Sequence, residues 1–474
     1  MKKHKRVYIV LITLVATLGG LLFGYDTAVI SGAEGSLQIY FAESLDLSSL
    51  AHGLTVSSAL IGCIIGGLLS GYFSTRFGRK YTLILAAALF LISALGSAYP
   101  EWLFFTYGEP SYALLFTFNL YRIIGGIGVG LASAVSPMYI GEIAPSRIRG
   151  RLVSLNQFAI IFGMLVVYFV NWGIARGQTS QWINEVGWRY MFASEAIPAL
   201  LFLLLLFTVP ETPRYLASQN KNGEALKVLS KIYDKSVAKS TLAEINHSFD
   251  MKKGRLFSFG VAIVVVGILL SVFQQFVGIN VALYYAPRIF ESMGAGRDAS
   301  MFQTIIMGLV NVIFTVIAIV SVDKFGRKPL LIIGSVGMTV GMFGVAGMAY
   351  ANAIGIATLI FIIIYTASFM MSWGPVVWVL ISEIFPNKIR GKAVAIAVAA
   401  QWAANYLVSS TYPMMMEFSG GLTYTFYGVM SILSALFVWK FVPETKGKSL
   451  EQLEMRLKDG SAKGKFQKAS GHSN

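Results

Sequence analysis

Long runs of apolar residues, separated by short polar segments, repeat along the whole chain. A helix needs about 20 mostly apolar residues to cross a hydrocarbon core of about 30 Å. Windows of this kind fall into two sets of six. They lie near residues 7–32, 53–73, 81–99, 113–136, 152–173, 189–209, 257–285, 301–322, 329–350, 354–381, 392–413 and 423–442. The pattern predicts an all-α membrane protein with twelve transmembrane helices.

Composition agrees with this pattern. Hydrophobic residues make up 55% of the 474 residues and charged residues 13%, about half of the ~25% charge of soluble domains. A water-soluble enzyme is therefore not expected. The single cysteine, Cys63, excludes an internal disulfide and a Cys-rich metal site. His4, His52, His247 and His472 fall in predicted loops or tails, so neither a metal site, a cofactor nor a histidine proton relay is expected.

The excess of basic residues is explained by topology. The net charge is +15, and 33 of the 38 Lys and Arg residues lie in the N-terminus, the even-numbered loops and the C-terminal tail. Cytoplasmic loops carry such an excess. Both termini are therefore predicted to be cytoplasmic, and a nucleic-acid partner is not needed.

Three loop motifs occur twice, at offsets of 248, 241 and 233 residues. The pairs are Arg76-Phe-Gly-Arg79-Lys80 with Lys324-Phe-Gly-Arg327-Lys328, Glu142-Ile-Ala-Pro with Glu383-Ile-Phe-Pro, and Pro210-Glu211-Thr212 with Pro443-Glu444-Thr445. Six helices separate the copies, so both halves face the same way, as in parallel transporter repeats. The predicted domains are a first bundle (1–209), a charged helical linker (210–255), a second bundle (256–442) and a cytoplasmic tail (443–474).

Several motifs in this order resemble the sugar porter family of the major facilitator superfamily, over about residues 7–455. They include Arg122-Ile-Ile-Gly-Gly-Ile-Gly-Val-Gly, Pro210-Glu211-Thr212-Pro213-Arg214, Gln274-Gln275-Phe-Val-Gly-Ile-Asn280 and Val322-Asp323-Lys324-Phe-Gly-Arg327. Residues 16–31 and 371–376 are most similar to the bacterial proton-coupled xylose symporters of that family. The resemblance implies the major facilitator fold, a bacterial inner membrane and transport by alternating access, and nothing demands more than a monomer.

Amide and aromatic side chains lie inside the predicted membrane helices, mainly in the second half. A neutral sugar needs groups that donate and accept hydrogen bonds, together with flat apolar faces. Hydrogen bonding between helices is the alternative use of such amides. By resemblance, the sugar-binding positions are Gln157, Gln274, Gln275, Asn280, Asn311, Trp378, Gln401 and Trp402, with Phe23 and Tyr284 as walls; Asn405 is a further polar residue of helix 11.

One glycine and one methionine add detail to the predicted sugar site. Gly278 lies between Gln275 and Asn280 and is expected to let helix 7 bend or unwind. Met164 stands where the xylose symporters have a glutamine that contacts the sugar. A thioether accepts a hydrogen bond weakly and donates none, so the pocket becomes more apolar and the identity of the sugar stays open.

Three ionisable residues lie well inside the predicted spans: Asp26, Arg122 and Glu195. An unpaired charge at the bilayer centre costs about 2.5–3.5 kcal/mol, so Asp26 and Arg122 are expected to pair. Protonation of Asp26 would weaken this pair and permit rocking, with Glu195 as a relay or a modulator of Arg122. A static structural salt bridge is the alternative.

The repeated loop motifs predict a gate on the cytoplasmic side. Basic residues after helices 2 and 8 are expected to pair with acidic residues at helices 4 and 10. These pairs are expected to hold the two halves together when the outside is open and to break when the inside opens. Anchoring by positive charge alone is the alternative. The gate residues are Arg76, Arg79, Glu142, Arg149, Glu211, Arg327, Glu383, Arg390 and Glu444.

These observations together predict a non-enzymatic, proton-coupled importer of a monosaccharide, with the proton as the co-transported ion. D-xylose is the leading substrate, followed by D-glucose and D-galactose. A passive sugar uniporter and a non-transporting sugar sensor are further alternatives, although a uniporter would not need an acid at Asp26.

Overall fold

The computed structural model describes residues 3–102, 105–145, 148–248, 261–292, 294–353, 355–385 and 389–446. Within these ranges, twelve helical segments are long and apolar enough to cross a membrane, which confirms the predicted number. We number them spans 1 to 12. They are Lys5–Glu43, Ser58–Arg76, Arg79–Ala98, Tyr112–Ile143, Arg149–Ala175, Ser180–Leu206, Val261–Tyr284, Arg297–Val322, Arg327–Tyr350, Ile356–Ile381, Lys392–Phe418 and Gly420–Phe441.

Several spans contain more than one helix. Span 1 ends in a π-helical turn, Gln38–Glu43, and span 6 contains another, Ile183–Gly187. Span 7 consists of Val261–Phe276 and Ile279–Tyr284, and span 10 of Ile356–Met371 and the first part of Trp373–Ile384. Shorter helices lie outside the spans, at Ser49–Val56, Pro213–Ser218, Asn222–Ile232, Lys235–Ser248 and Ala286–Ser292.

The helices at 213–248 follow span 6, and we call the membrane side on which they lie the linker side. The opposite side, which carries the ends of spans 1, 5 and 7, is the far side. Lys5, at the start of span 1, donates hydrogen bonds to the carbonyl of Tyr233 and to Asp234 Oδ1, over 2.6 and 2.8 Å. The first span is therefore tied to the linker helices.

Glycine allows spans 2 and 4 to pack closely within the first half. A Cβ atom on Gly126 would lie 1.8 Å from the carbonyl oxygen of Ala59, and one on Gly62 would lie 2.0 Å from that of Ile123. Small residues permit such close backbone approach between membrane helices. The glycine run after Arg122 is thus a packing surface.

The two halves meet through spans 2 and 11, spans 5 and 8, and spans 1 and 7. On the far side, Trp172 of span 5 donates a hydrogen bond to Asp298 of span 8 over 3.0 Å. Arg297 of span 8 donates to Asn184 Oδ1 and Ser36 Oγ, over 2.9 and 2.8 Å. A Cβ atom on Gly53 would lie 2.1 Å from the carbonyl oxygen of Ser410 in span 11. The far side is therefore closed by contacts between the halves.

We expect Gly126→Ala to destabilise the first half, because the added methyl group meets backbone on the facing helix. Overpacking of this kind costs about 1–3 kcal/mol. The measurement is the apparent melting temperature of the purified protein in detergent. Gly71→Ala is the matched control, since a Cβ atom there has no neighbour within 4 Å. Equal melting temperatures for the two variants would contradict the packing argument.

Candidate functional site

A central cavity of about 590 Å³, measured with the solvent that opens into it, lies between the two halves. Spans 1 and 5 supply one wall, and spans 7, 10 and 11 supply the other. Phe23 of span 1 contacts Trp402 of span 11 across the cavity, with ring centroids 5.5 Å apart.

The break in span 7 shapes the cavity wall. Gly278 has φ +90°, a left-handed conformation that favours glycine, and it separates the two helices of the span. Its position confirms the predicted interruption. A Cβ atom there would lie 2.8 Å from the ring of Tyr427. The interruption places Gln275 and Asn280, which are five residues apart, within hydrogen-bond distance of each other.

A chain of amides follows from this geometry. Asn280 donates to Gln275 Oε1 over 2.5 Å, and Gln275 donates to Gln274 Oε1 over 3.4 Å. Gln274 in turn donates to the carbonyl of Trp373 over 2.8 Å, beside the break in span 10. The amide chain therefore satisfies backbone groups that interrupted helices leave free.

Other polar groups of the wall remain available to a ligand. Gln401 Oε1 and Trp402 Nε1 are buried and make no hydrogen bond within the described parts of the chain. Buried polar atoms are normally paired. One acceptor and one donor beside two aromatic rings suit a neutral polyhydroxylated ligand, which presents hydroxyl groups and C–H faces together.

The cavity gathers nine of the ten predicted sugar-binding residues. They are Phe23, Gln157, Gln274, Gln275, Asn280, Tyr284, Trp378, Gln401 and Trp402. Asn311 of span 8 is buried but is not among the residues that line the cavity. Met164 does line it.

The cavity also contains polar residues that were not assigned to the site from the sequence. Thr27 and Asn405 both line it, and Asn405 donates a hydrogen bond to Tyr284 over 3.3 Å. Each lies four residues after an assigned wall residue, Phe23 or Gln401, and so shares its helix face. Helical spacing alone could have identified both.

A second polar centre lies inside the first half. Arg122 Nη1 donates to Asp26 Oδ1 over 2.6 Å, and Nη2 donates to the Asp26 carbonyl over 3.1 Å. Asp26 and Glu195 are 0% exposed and Arg122 is 1% exposed. Glu195 interacts electrostatically with both partners. Two carboxyl groups and one guanidinium are thus enclosed together, and a neutral total requires one proton.

This centre carries unused hydrogen-bonding atoms. With both carboxyl groups ionised, Asp26 Oδ2, Arg122 Nε and the two carboxyl oxygens of Glu195 have no hydrogen-bond partner within the described ranges. A proton on either carboxyl group would join Glu195 to Asp26 by a hydrogen bond. Asp26 lies three residues after Phe23 and one before Thr27, both of which line the cavity. The charged centre and the cavity are therefore connected through a single stretch of span 1.

The gate motifs form one cluster on the linker side of each half. In the first half, Arg79 Nη2 lies 2.7 Å from Glu142 Oε1, and Thr212 donates to Glu142 over 2.6 Å. In the second half, Arg327 Nη2 lies 3.0 Å from Glu383 Oε1, and Thr445 donates to Glu383 over 2.6 Å. The sequence repeat is thus a structural repeat.

Arg79 pairs with Glu142 and Arg327 with Glu383 as predicted, but neither pair joins the two halves. Each pair joins residues of one half, because the basic motif after span 2 or span 8 lies beside the end of span 4 or span 10 in the same bundle. Arg76 and Arg149 are exposed, and neither belongs to an ion pair of the described residues. The side chain of Arg390 lies outside the part of the chain that the structure describes.

Glu211 and Glu444 occupy equivalent places in the two halves, but the pKa values of their carboxyl groups are shifted in opposite directions. Burial raises the pKa of Glu211, and hydrogen bonds from the N–H groups of Thr212 and Lys80 offset this only in part. Burial acts on Glu444 in the same direction, but several backbone N–H donors leave its pKa below the ordinary value. These donors include Arg327 and Lys328 at the start of span 9, over 3.1 and 3.0 Å.

His52 and His247 lie outside the spans, as the sequence predicts, but in helices and not in loops. His52 also has a buried partner. It lies in the helix Ser49–Val56, it is buried, and its Nε2 is 2.7 Å from Glu34 Oε1. The apolar window that indicated span 2 began near this point, so the polar pairing was hidden from a count of hydrophobic residues.

Comparison with known proteins places this architecture in context. A family model described as sugar (and other) transporter matches residues 12–457. The D-xylose-proton symporter of Escherichia coli K12 is 58% identical over 95% of this chain and 96% of its own. The glucose facilitated diffusion protein of Zymomonas mobilis is 41% identical over 94% of this chain and 96% of its own.

A solved structure is similar over almost the full length. The inward-open xylose transporter XylE from E. coli superposes with a TM-score of 0.86 at 57% sequence identity, covering 94% of this chain and 99% of that one.

We expect Glu444→Gln to lower the stability of the second half, since it removes the charge that accepts the N–H groups at the start of span 9. The effect is about 1 kcal/mol or less, because the carboxylate is partly screened by water. Because the pKa of Glu444 is lowered in the folded protein, its carboxylate stabilises the folded state at pH values above the ordinary pKa of glutamate. This contribution is lost as the pH falls. The difference from the unmodified protein should therefore shrink between pH 7 and about pH 3.

Thermal unfolding in detergent across this pH range tests the expectation. Glu109→Gln is the control, because Glu109 is an exposed loop residue. A Glu444→Gln penalty that stays constant from neutral to acid pH would show that the carboxylate charge is not responsible.

Proposed function

The chain belongs to the sugar transporter family, and on that basis we propose that it imports a monosaccharide, D-xylose foremost, together with a proton by alternating access. The observation that carries this proposal is a buried Asp26–Arg122 pair one helical turn from an amide-lined cavity. The amides supply the sugar site, and the pair supplies the proton site. Both are reached from one stretch of span 1.

The coupling follows from charge neutralisation. When the site faces outward, Asp26 takes up a proton, and the neutral carboxyl group holds Arg122 less strongly. The halves can then rock around the loaded cavity. When the site faces inward, the proton leaves and the ion pair forms again. The conformation described here, closed on the far side and with Asp26 and Arg122 paired, corresponds to the second stage.

Glu195 gives the centre a second carboxyl group. It is fully buried beside the pair, so its ionisation would leave an excess negative charge in an apolar region. We assign Glu195 to relaying the proton or to tuning Arg122. The enclosed set of Asp26, Arg122 and Glu195 is then neutral with one proton and becomes positive when a second is bound.

The orientation that this cycle needs is the one that the basic loops favour. The linker side carries most of the Lys and Arg residues and would face the cytoplasm of a bacterium, with the far side outward. A membrane potential of 100 mV then contributes about 2.3 kcal/mol for each proton carried. That energy supports roughly fifty-fold accumulation of the sugar.

The sugar itself is the less constrained part of the proposal. The wall contains Met164, whose side chain offers no hydrogen-bond donor. The resemblance noted from the sequence implies a glutamine at this position in a xylose symporter. D-glucose and D-galactose therefore remain alternative substrates. A passive uniporter, the activity that the name of the Z. mobilis relative indicates, is disfavoured by the buried Asp26.

We expect Asp26→Asn to abolish accumulation of sugar against a gradient and to preserve exchange, since the asparagine cannot carry a proton but leaves the sugar cavity intact. Uptake and counterflow of labelled xylose in proteoliposomes, with and without an imposed proton-motive force, measure the two activities. Asp46→Asn, in an exposed loop, is the control. Accumulation by Asp26→Asn would refute coupling through this residue.

We further expect xylose to compete best against labelled xylose within a panel of pentoses and hexoses. Met164→Gln should tighten xylose binding by about 1 kcal/mol, or roughly fivefold, through one added hydrogen bond. Inhibition constants for both proteins provide the measurement. Faster transport of glucose than of xylose would overturn the substrate assignment and leave the coupling proposal standing.

A further inference from the structure

The carboxylate of Glu34, on the far side, contacts both a histidine and an arginine. His52 Nε2 lies 2.7 Å from Glu34 Oε1, and Arg288 Nη1 lies 2.5 Å from the same oxygen. The Glu34 and His52 side chains are 2% and 5% exposed, whereas that of Arg288 is 42% exposed. The cluster is thus built on a buried pair with an arginine that faces solvent.

The three residues come from both halves of the molecule. Glu34 belongs to span 1, and His52 to the helix Ser49–Val56, both in the first half. Arg288 lies in the helix Ala286–Ser292, which follows span 7 in the second half. The Glu34–Arg288 ion pair therefore crosses the interface, while the Glu34–His52 contact stays within one half.

The helix that carries His52 is itself part of the closure. Gly53 packs against the carbonyl oxygen of Ser410 so closely that a Cβ atom would lie 2.1 Å from it. Ser49, at the start of the same helix, donates a hydrogen bond to Glu417 at the end of span 11. Separation of the halves on the far side must therefore move the His52 helix away from span 11.

Within the described residues, a few other charged or titratable groups lie on the elements packed against this cluster. One is Glu417 of span 11, which accepts the hydrogen bond from Ser49. The others are Tyr285 at the end of span 7, Glu291 on the Arg288 helix, Arg297 at the start of span 8 and Tyr412 on span 11. The two tyrosines are neutral at physiological pH. Glu291 and Arg297 interact with each other as opposite charges. Among the side-chain types present here, histidine is the one that ordinarily changes charge between pH 5 and 8.

We propose that Glu34, His52 and Arg288 form a latch that holds the far side closed and that protonation of His52 loosens it. The contacts of the latch are those of the far side, and its role in transport rests on the proposed function. The latch is separate from Asp26, because it governs opening of the far side and carries no proton through the membrane.

The charges give the direction of the effect. With His52 neutral, the first half presents a single negative charge, Glu34, to Arg288, and closure brings opposite charges together. With His52 protonated, the Glu34–His52 pair is neutral, and Arg288 approaches a site that already contains a cation. Protonation therefore removes most of the attraction between the halves at this point.

The same argument applies in reverse. Opening moves Arg288 away, so a proton on His52 meets less repulsion in the open state than in the closed state. Acid on the far side thus shifts the population toward the outward-open conformation. The site would be presented outward more often under the conditions in which protons are plentiful there.

The test measures the far-side distance directly and does not depend on transport. Nitroxide labels are attached at Gln178→Cys, between spans 5 and 6, and at Ala351→Cys, after span 9; both residues are exposed. Cys63→Ala removes the one native cysteine. Asp26→Asn is included so that titration of the coupling residue does not contribute. Double electron–electron resonance is recorded in lipid nanodiscs at about pH 8 and pH 5.5.

We expect the ratio of open to closed far-side distances to rise about tenfold as the pH falls. His52→Gln retains a donor to Glu34 and should abolish this dependence. Glu34→Gln removes the shared acceptor charge and should favour the open distance already at pH 8. His247→Gln, on an exposed linker helix, is the matched control and should behave like the parent protein.

A pH-dependent distance that survives His52→Gln would overturn the latch, and so would a parent protein whose distances do not change with pH. Either result leaves the proposed symport intact, since that is judged by accumulation in proteoliposomes. Conversely, a chain that moves sugar without proton coupling could still show the His52-dependent opening, so the two failures are distinguishable.

Discussion

The need to neutralise charge inside a hydrocarbon layer governs the organisation of this molecule. Asp26 and Arg122 are both excluded from solvent, and each is tolerated there because the other is within 2.6 Å. Any change in the ionisation of one partner must be matched by a change in the packing around the other. Under the proposed cycle, a proton acts on the first bundle through this one contact.

The central cavity depends on a different solution to the same problem. Spans 7 and 10 are interrupted where they face the cavity, and interrupted helices expose backbone groups that lipid cannot satisfy. The amides of Gln274, Gln275 and Asn280 satisfy some of these groups and also form the wall. Phe23 on span 1 contacts Trp402 across the cavity, so the polar wall of one half lies against the charged span of the other.

The sequence was informative wherever the signal was local or repeated. Span number, the interruption at Gly278 and most of the cavity wall follow from hydropathy, from glycine placement and from the resemblance. The gate residues found their predicted partners, but the pairs lie within each half and do not join the halves, because a motif specifies chemistry and not which bundles it connects. Asn311 and His52 were misplaced for a related reason: burial against a particular helix face is a tertiary property, and no periodicity reports it.

Each half has its own cluster of Arg, Glu and Thr on the linker side, with Glu211 or Glu444 accepting the backbone at the start of the next span. Because the partners belong to one half, relative motion of the halves need not break either cluster. The cluster therefore holds the helix ends of one half together, whichever ligand the cavity binds. A duplicated chain could for this reason assign proton chemistry to one copy and sugar recognition to the other, while each copy kept the same means of maintaining its shape.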